Sequence, residues 1–399
     1  MTTAATADRS NRSKFGDLLV AVGLSMGAVV SLGFSRFAYA LLLPPMRDSL
    51  HWTYVQAGSL NTANALGYVI GSATAAWFSK RLGIKSAFVL SLLLSALVLL
   101  ACGFTDAYKL LMAVRLVGGL ATAVTFIVGA SLAASINATN SPQHSSLLVA
   151  TYITGVGSGI VASGVVIPPI LASLGTAGWP TGWIWMGVIA LITVIPATIA
   201  TRAVPPQTAR DAHLLPWKDC VFLWPTFANY SLYGAGYVSY MTFIILLIRQ
   251  NAGGPQYAAV FWIVLGLSSV IGTLVWGRLL PKLGVRRGSP AAALVVMIGT
   301  LPVLISPTLG AAFVSAVLFG GSLMSGPTAV TVIVRKLVHA QAWTAALAAL
   351  TVAFAVGQAI GPVLSGYVSD LTGSVTAGLW LSPALLIASA FTALFQRSR

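Results

Sequence analysis

Gly33-Phe34-Ser35-Arg36-Phe37-Ala38-Tyr39 stands near the end of an apolar run from Leu18 to Leu43, and it sets an arginine among residues that otherwise read as a membrane-crossing helix. About 20 apolar residues suffice for a helix to cross the hydrocarbon core. A charge at mid-bilayer costs about 2.5 to 3.5 kcal/mol on insertion scales, so Arg36 is expected to face a bundle interior or a wet cavity and to meet an anion there. Arg115 poses the same problem in the fourth apolar run. The triplet Ala38-Tyr39-Ala40 imitates a signal-peptidase site, but the run is longer than the usual apolar region of about 7 to 15 residues and contains Arg36, so it reads as a first span.

The rest of the chain agrees with a membrane setting. Of its 399 residues 57% are hydrophobic and 7% are charged, against about a quarter charged in soluble domains, and the mean hydropathy is +0.90. Such a chain has room for about a dozen helical spans and no large soluble domain. Outward from the first run, spans are expected at Tyr54 to Phe78, Ala87 to Phe104, Lys109 to Ile136, Leu147 to Leu174 and Trp183 to Ala200. The polar stretch from Arg202 to Lys218, with Pro205, Pro206 and Pro216, reads as a linker. Six further spans follow: Asp219 to Ile248, Tyr257 to Leu279, Pro290 to Ser306, Leu309 to Val334, Thr344 to Ser369 and Ala377 to Phe395.

The two sets of six look like copies. A shift of 201 residues superposes Gly33 on Gly234, Tyr39 on Tyr240, Gly71 on Gly272 and Gly83 on Gly284; a shift of 202 brings Gly118 to Gly320 and Gly155, Gly159 and Gly164 to Gly357, Gly361 and Gly366. Parallel repeats of this kind belong to carriers with a site at the repeat interface. The organisation read from the sequence is a tail at 1–16, a six-helix bundle at 17–201, a linker at 202–217 and a second six-helix bundle at 218–399.

The formal charge of +15 does not point to nucleic acid, which needs the basic residues in one patch. Here they are spread over successive short loops. With the N-terminus inside, 17 of the 22 Lys and Arg lie inside, Arg47, Lys109 and Arg249 lie outside, and Arg36 and Arg115 lie within spans. That is the positive-inside pattern of a multi-pass protein of a bacterial inner membrane with both termini cytoplasmic. Cys102 and Cys220 fall at opposite faces, too far apart for a disulfide. The four histidines lie singly in separate loops, so neither a metal site nor a cofactor site is readable. An enzyme would need a nucleophile with a base or a paired acid and base within the bundle. The chain has no glutamate, and its seven aspartates (Asp8, Asp17, Asp48, Asp106, Asp211, Asp219 and Asp370) fall in tails, loops or span ends.

The chain resembles the major facilitator superfamily over essentially its whole length. Ala76 to Lys85 looks like that superfamily's GxxxDRxGRR loop and Gly277 to Arg287 like its second copy, although Lys80 and Pro281 stand at the acidic position. Arg115-Leu-Val-Gly118-Gly119 resembles the RxxxG signature of the fourth helix, and Gly357-Gln358-Ala-Ile-Gly361-Pro362 resembles a GxxxGP element in the eleventh. Gly33 to Pro45, followed by Tyr54-Val-Gln56-Ala-Gly58 and Asn61-Thr-Ala-Asn64, looks like the YbfB/YjiJ branch. The resemblance implies an all-α fold of twelve transmembrane helices in two pseudo-symmetric six-helix bundles, and alternating-access transport.

Arg36 and Arg115 each fall roughly 10 to 12 Å below the outer boundary of their helices. In the family's arrangement the first and fourth helices border the central cavity, so two guanidinium forks are expected to converge on a carboxylate, sulfonate or phosphate. The other reading has one of them snorkelling outward or binding backbone carbonyls. Tyr230, Tyr233, Tyr237 and Tyr240 share one stripe of the seventh span, with Tyr39 on the first, Asn61, Asn64 and Tyr68 on the second and Gln358 on the eleventh. These are the expected ligand-orienting groups, since phenols facing lipid would be left unpaired. Gly83, Gly155, Gly159, Gly284, Gly357, Gly361 and Pro362 are expected to act in packing or gating. The leading expectation is a monomeric secondary transporter of a small organic anion, without a cofactor and with protons as the candidate coupling ion. The alternatives are efflux of amphipathic or drug-like compounds, and exchange of one anion for another.

Overall fold

The computed structural model describes residues 14–136, 142–205, 215–251, 255–339 and 342–396. Residues 1–13 of the expected tail and 206–214 of the expected linker, with Asp8, Asp211 and His213, lie outside the described residues. Helix α1 spans Lys14–Ser49 and is followed by α2 (Tyr54–Leu82), α3 (Ile84–Cys102), α4 (Tyr108–Ala134), α5 (Pro142–Leu174) and α6 (Trp179–Ala203). A short helix, Trp217–Phe222, leads into α7 (Trp224–Asn251). Helices α8 and α9 share the run Pro255–Ile305, divided at Gly284; α10 (Leu309–Leu337), α11 (Trp343–Thr372) and α12 (Val375–Ala393) complete the chain.

Nine described segments are long and apolar enough to cross a membrane. Two of them, His144–Ala203 and Tyr257–Ile305, each hold two helices, and α2, whose Asn61, Asn64, Lys80 and Arg81 lower its hydropathy, is a further helix of 29 residues. Helix therefore occupies each of the twelve passes read from the sequence. Several boundaries differ from expectation, and two of them have a plain local cause. The loop between α8 and α9 shrinks to a turn at Gly284, where a φ of 73° does what several loop residues were expected to do, as Gly83 does at 81° between α2 and α3; a Cβ disfavours that region. Helix α6 starts at Trp179 rather than Trp183, with Pro180 in its first turn, where a missing N–H costs nothing.

The internal repeat is visible in how the helices touch. A Cβ on Gly155 would stand 2.4 Å from the carbonyl oxygen of Ser25, and one on Gly357 would stand 1.8 Å from that of Ser231. The α5 glycine thus seats against α1 as the α11 glycine seats against α7. Gly159 and Gly361 repeat the contact one turn on, against Val29 and Ala235. Helices α2 and α4, and their counterparts α8 and α10, also meet through glycine, Gly119 against the Asn64 carbonyl and Gly320 against that of Leu265. Close backbone approach of this kind is the use of small residues where apolar burial gives no drive for helices to associate.

The loops α1–α2, α3–α4 and α11–α12 share one end of the bundle, here termed the far face. The described chain ends, with the α2–α3 and α8–α9 turns, share the other, the terminal face. The links between α1–α6 and α7–α12 gather between mid-bundle and the far face. Thr62 Oγ1 donates to the Ala359 carbonyl at 2.5 Å, Asn61 Nδ2 to Thr242 Oγ1 at 2.7 Å, and Trp262 Nε1 to Ser163 Oγ at 3.1 Å. Gly58 and Pro362 touch backbone to backbone, with a Cβ on Gly58 only 2.6 Å from the Pro362 carbonyl oxygen. The far-face side of the interface is closed.

Candidate functional site

Helix α1 changes register where it carries its arginine. Val29–Phe37 is π-helical over nine residues, with the Ala38 N–H reaching five residues back to the Gly33 carbonyl at 3.0 Å. Such widened turns detach carbonyls from the ordinary ladder and are frequent at functional sites. The segment begins where the backbone of Gly159 closely approaches the Val29 carbonyl and Gly33.

Arg36 is 6% exposed and lies at the interface between the two bundles. Its Nη1 donates to Gln358 Oε1 of α11 at 2.7 Å, and Gln358 Nε2 in turn donates to the Tyr237 hydroxyl of α7. The guanidinium carbon sits 4.6 Å from the centroid of the Tyr68 ring, within the range of a cation–π contact. Nη2 is buried and makes no hydrogen bond. None of these partners is an acid, so the charge is offset by dipoles alone, an expensive state for a desolvated cation.

Arg115 is fully buried and has different partners. Nη1 donates to the Ser35 carbonyl at 2.5 Å and Nη2 to Asn61 Oδ1 at 3.5 Å. The rings of Tyr39 and Trp183 lie each 5.4 Å from its guanidinium carbon. Tyr39 donates its hydroxyl to the Ala57 carbonyl at 2.6 Å, and Asn64 Nδ2 donates to the carbonyl of Arg115 itself at 3.3 Å. Both arginines are therefore brought to the same turn of α1, since Ser35 adjoins Arg36. Arg115 spends its fork on α1 backbone and on α2, while Arg36 reaches across to α7 and α11.

The tyrosine stripe of α7 divides in the same way. Tyr237 joins the Arg36–Gln358 chain. Tyr240 bonds Ser315 Oγ at 2.5 Å, and Tyr233 fills the break in α10, where its hydroxyl meets the carbonyls of Ser322 and Leu323 and the N–H of Gly326, each at 3.3 Å. Both are held by α10 of their own bundle. Tyr230 stacks on Phe354, with ring centroids 4.3 Å apart.

Several participants escaped the sequence reading. In the sequence Trp183 stands only at the start of a span, and Thr242, Phe354 and the Ser35 carbonyl carry no signal. Asp370, a span-end residue in the sequence, accepts from the N–H groups of Tyr54 and Val55 across the interface at 2.8 and 2.9 Å. The signal that could have found it is positional, since a lone acid at the end of α11 faces the capped start of α2 in a twelve-helix arrangement.

Known proteins share this architecture. A family model described as "Uncharacterised MFS-type transporter YbfB" matches residues 28–394. A chloramphenicol resistance protein of Streptomyces lividans is 28% identical over 384 residues, covering 91% of this chain and 94% of that protein. A gentisate transporter of Corynebacterium glutamicum is 24% identical over 326 residues, covering 76% and 71%. Among solved structures, the nucleoside transporter NupG superposes with a TM-score of 0.72 at 14% identity, covering 95% of this chain and 98% of that one. The transporter FucP, in its outward conformation, gives 0.62 at 15% identity, covering 95% and 99%. With identities this low, the structural likeness speaks for the fold. The family match spans nearly the whole chain, and its members are transporters rather than enzymes: this chain belongs to the YbfB-type branch of the major facilitator superfamily, as a multi-pass carrier of small molecules in a lipid bilayer.

Proposed function

We propose that the protein is a secondary transporter of a small organic anion, with Arg36 as the group that holds the anion. One observation carries this reading: Arg36 is buried at the bundle interface, its described partners are all neutral, and Nη2 has no hydrogen bond. A carboxylate or sulfonate supplies the missing acceptor and the missing charge together. Gln358 and Tyr237 hold the guanidinium from the opposite bundle, so the ligand meets both moving parts. Arg115 is the positioning group that keeps the π-helical turn of α1 in place through the Ser35 carbonyl. The gentisate transporter among the relatives moves an organic acid by its name, which supports the same class.

Residues 17–201 and 218–399 act in this reading as two bodies joined by 202–217, rocking about the site. The far-face links then hold one of the alternating states. The basic loops at the terminal face put that face in the cytoplasm of a bacterial-type cell by the positive-inside rule. The protein works as a monomer, with protons as the coupling ion or a second anion as the exchanged species.

The chloramphenicol resistance relative favours a second reading, export of neutral amphipathic compounds, in which both arginines are structural. Thermal-shift titrations of the purified protein with carboxylates and sulfonates, beside neutral and cationic compounds of the same size, separate the two. Stabilisation by anions that disappears in Arg36→Lys is the expected result. Stabilisation by neutral compounds that persists in Arg36→Lys would overturn the anion reading.

A further inference from the structure

Aromatic rings adjoin Arg36, and their arrangement narrows the ligand. Tyr237 and Phe354 lie nearly parallel, 8° between planes and 5.5 Å between centroids, and Phe354 continues the stack onto Tyr230 at 17°. This stack adjoins Arg36, because the Tyr237 hydroxyl accepts from the same Gln358 amide group whose oxygen takes Arg36 Nη1. On its other side the guanidinium rests on Tyr68. Arg36 Nη2 is left without a hydrogen bond.

Resting on the reading that Arg36 holds an anion, we infer that the site takes an aromatic monocarboxylate, with its carboxylate on Arg36 Nη2 and its ring laid on Tyr237, as the next member of the Tyr230–Phe354–Tyr237 row. The carboxylate specification follows from the terminal nitrogens. Arg36 leaves Nη2 unused, and both terminal nitrogens of Arg115 are spent on Ser35 and Asn61, leaving only its unpaired Nε as a single donor, so a second acidic group on the ligand finds no fork of its own. The aromatic specification follows from that row. Offset-stacked rings gain beyond the area they bury, whereas a puckered ring of equal size gains only the area. A site for aliphatic acids needs no ordered row of parallel rings. The free nitrogen is shut from solvent in this far-face-closed state, so the ligand is expected to load when the bundles part.

The test is binding to the purified full-length chain by isothermal titration, with benzoate, cyclohexanecarboxylate and phthalate as probes. The wild type is compared with Arg36→Lys, Phe354→Leu and Phe354→Tyr. Benzoate is expected to bind about 3- to 10-fold more tightly than cyclohexanecarboxylate, the margin that stacking supplies, and more tightly than the dianion phthalate. Phe354→Leu, which removes the ring that backs Tyr237, should bring the two monocarboxylates to near-equal affinity by weakening benzoate, while Phe354→Tyr, which keeps the ring, should preserve the preference. Equal binding of benzoate and cyclohexanecarboxylate by the wild type, with both lost in Arg36→Lys, would overturn the aromatic inference and leave the anion reading standing. Tighter binding of phthalate than of benzoate would overturn the single-carboxylate claim. Monocarboxylate binding that Arg36→Lys leaves unchanged would sink the anion reading itself.

Discussion

Asp370 at the end of α11 closes the start of α2, its two carboxylate oxygens accepting the backbone N–H groups of Tyr54 and Val55 from the opposite bundle. A carboxylate at a helix N-terminus meets both the orphan donors and the positive end of the dipole. The Thr53 side chain and Gln56 complete the cap within α2, so the helix itself survives the loss of Asp370. What is lost is a link between bundles worth about 1 kcal/mol at a solvent-exposed position, enough for a several-fold change in a two-state population. Spin labels at Asp106 and Leu371, one on each bundle near the far face, should report a longer distance population in Asp370→Ala than in wild type. Superimposable distance distributions would show that this contact does not hold the far face shut.

The two arginines should fail differently. Arg36→Lys keeps the charge but loses the planar fork that serves Gln358 and a ligand together. Anion affinity is expected to fall at least tenfold with little change in melting temperature. Arg115→Leu leaves the Ser35 carbonyl and Asn61 Oδ1 without their donor, and unpaired buried groups cost about 1 to 3 kcal/mol each. A lowered melting temperature of the unliganded protein is therefore expected from Arg115→Leu. Equal losses of affinity in both variants, with equal stability, would instead argue for two clamps on one ligand.

Tyr237 and Tyr240 are three residues apart on one stripe, and the sequence alone treats them alike. Their hydroxyls have separate partners, Gln358 for Tyr237 and Ser315 for Tyr240. Tyr237→Phe is expected to weaken anion binding by about 0.5 to 1.5 kcal/mol, the worth of one hydrogen bond in the Arg36 chain. Tyr240→Phe should lower unfolding stability by a similar amount and leave affinity unchanged. Titration and thermal melts on the same two preparations check both halves of this statement.

That difference marks the limit of what one sequence discloses. Spacing places side chains on faces, so the helices, the repeat and the packing glycines could be read from period and offset. Gly155 and Gly357 meet α1 and α7 as the repeat implies, although their partners Ser25 and Ser231 stand about one turn off the 202-residue shift. Arg36 and Arg115 also stood out, because a charge in an apolar run is conspicuous. What such a reading cannot supply is which neighbour a side chain meets once helices pack. The Ser35 carbonyl becomes an acceptor for Arg115 within a turn whose register has slipped to π, beside a close backbone contact with Gly159 on another helix. Phe354 looked like one apolar residue among many, and only the packing of α7 against α11 sets it between Tyr230 and Tyr237.

Orientation can be tested without any ligand. Single cysteines at Arg81 and Arg286, in the basic turns of the terminal face, are expected to react with a membrane-impermeant maleimide only after the cytoplasmic side is opened. A cysteine at Asp106 should react in intact cells. The variants are made in a Cys220→Ser background, since Cys102 is buried but Cys220 is half-buried on the terminal-face helix Trp217–Phe222. Labelling of the Arg81 variant in intact cells would reverse the orientation drawn from the loop charges.

Coupling turns on charge balance at Arg36. An arginine does not release its proton within a protein, and its described hydrogen-bond and ring partners include no carboxylate to carry one, so a coupled proton has to travel with the anion. A monovalent anion and one proton leave the loaded carrier with the charge of the empty one. Transport then ignores membrane potential and follows the pH gradient, with about tenfold accumulation for each pH unit, because one unit is worth about 1.4 kcal/mol. In liposomes that are alkaline inside, clamped at zero potential and free of internal substrate, the wild type should accumulate benzoate faster than Arg36→Ala liposomes, which report passive entry of the acid. Exchange makes the opposite demand, because the anion must be replaced by another before the carrier returns. Uptake that requires a preloaded counter-anion and does not respond to the pH gradient would exclude proton symport, and the same Arg36 would then serve as the shared station of two anions.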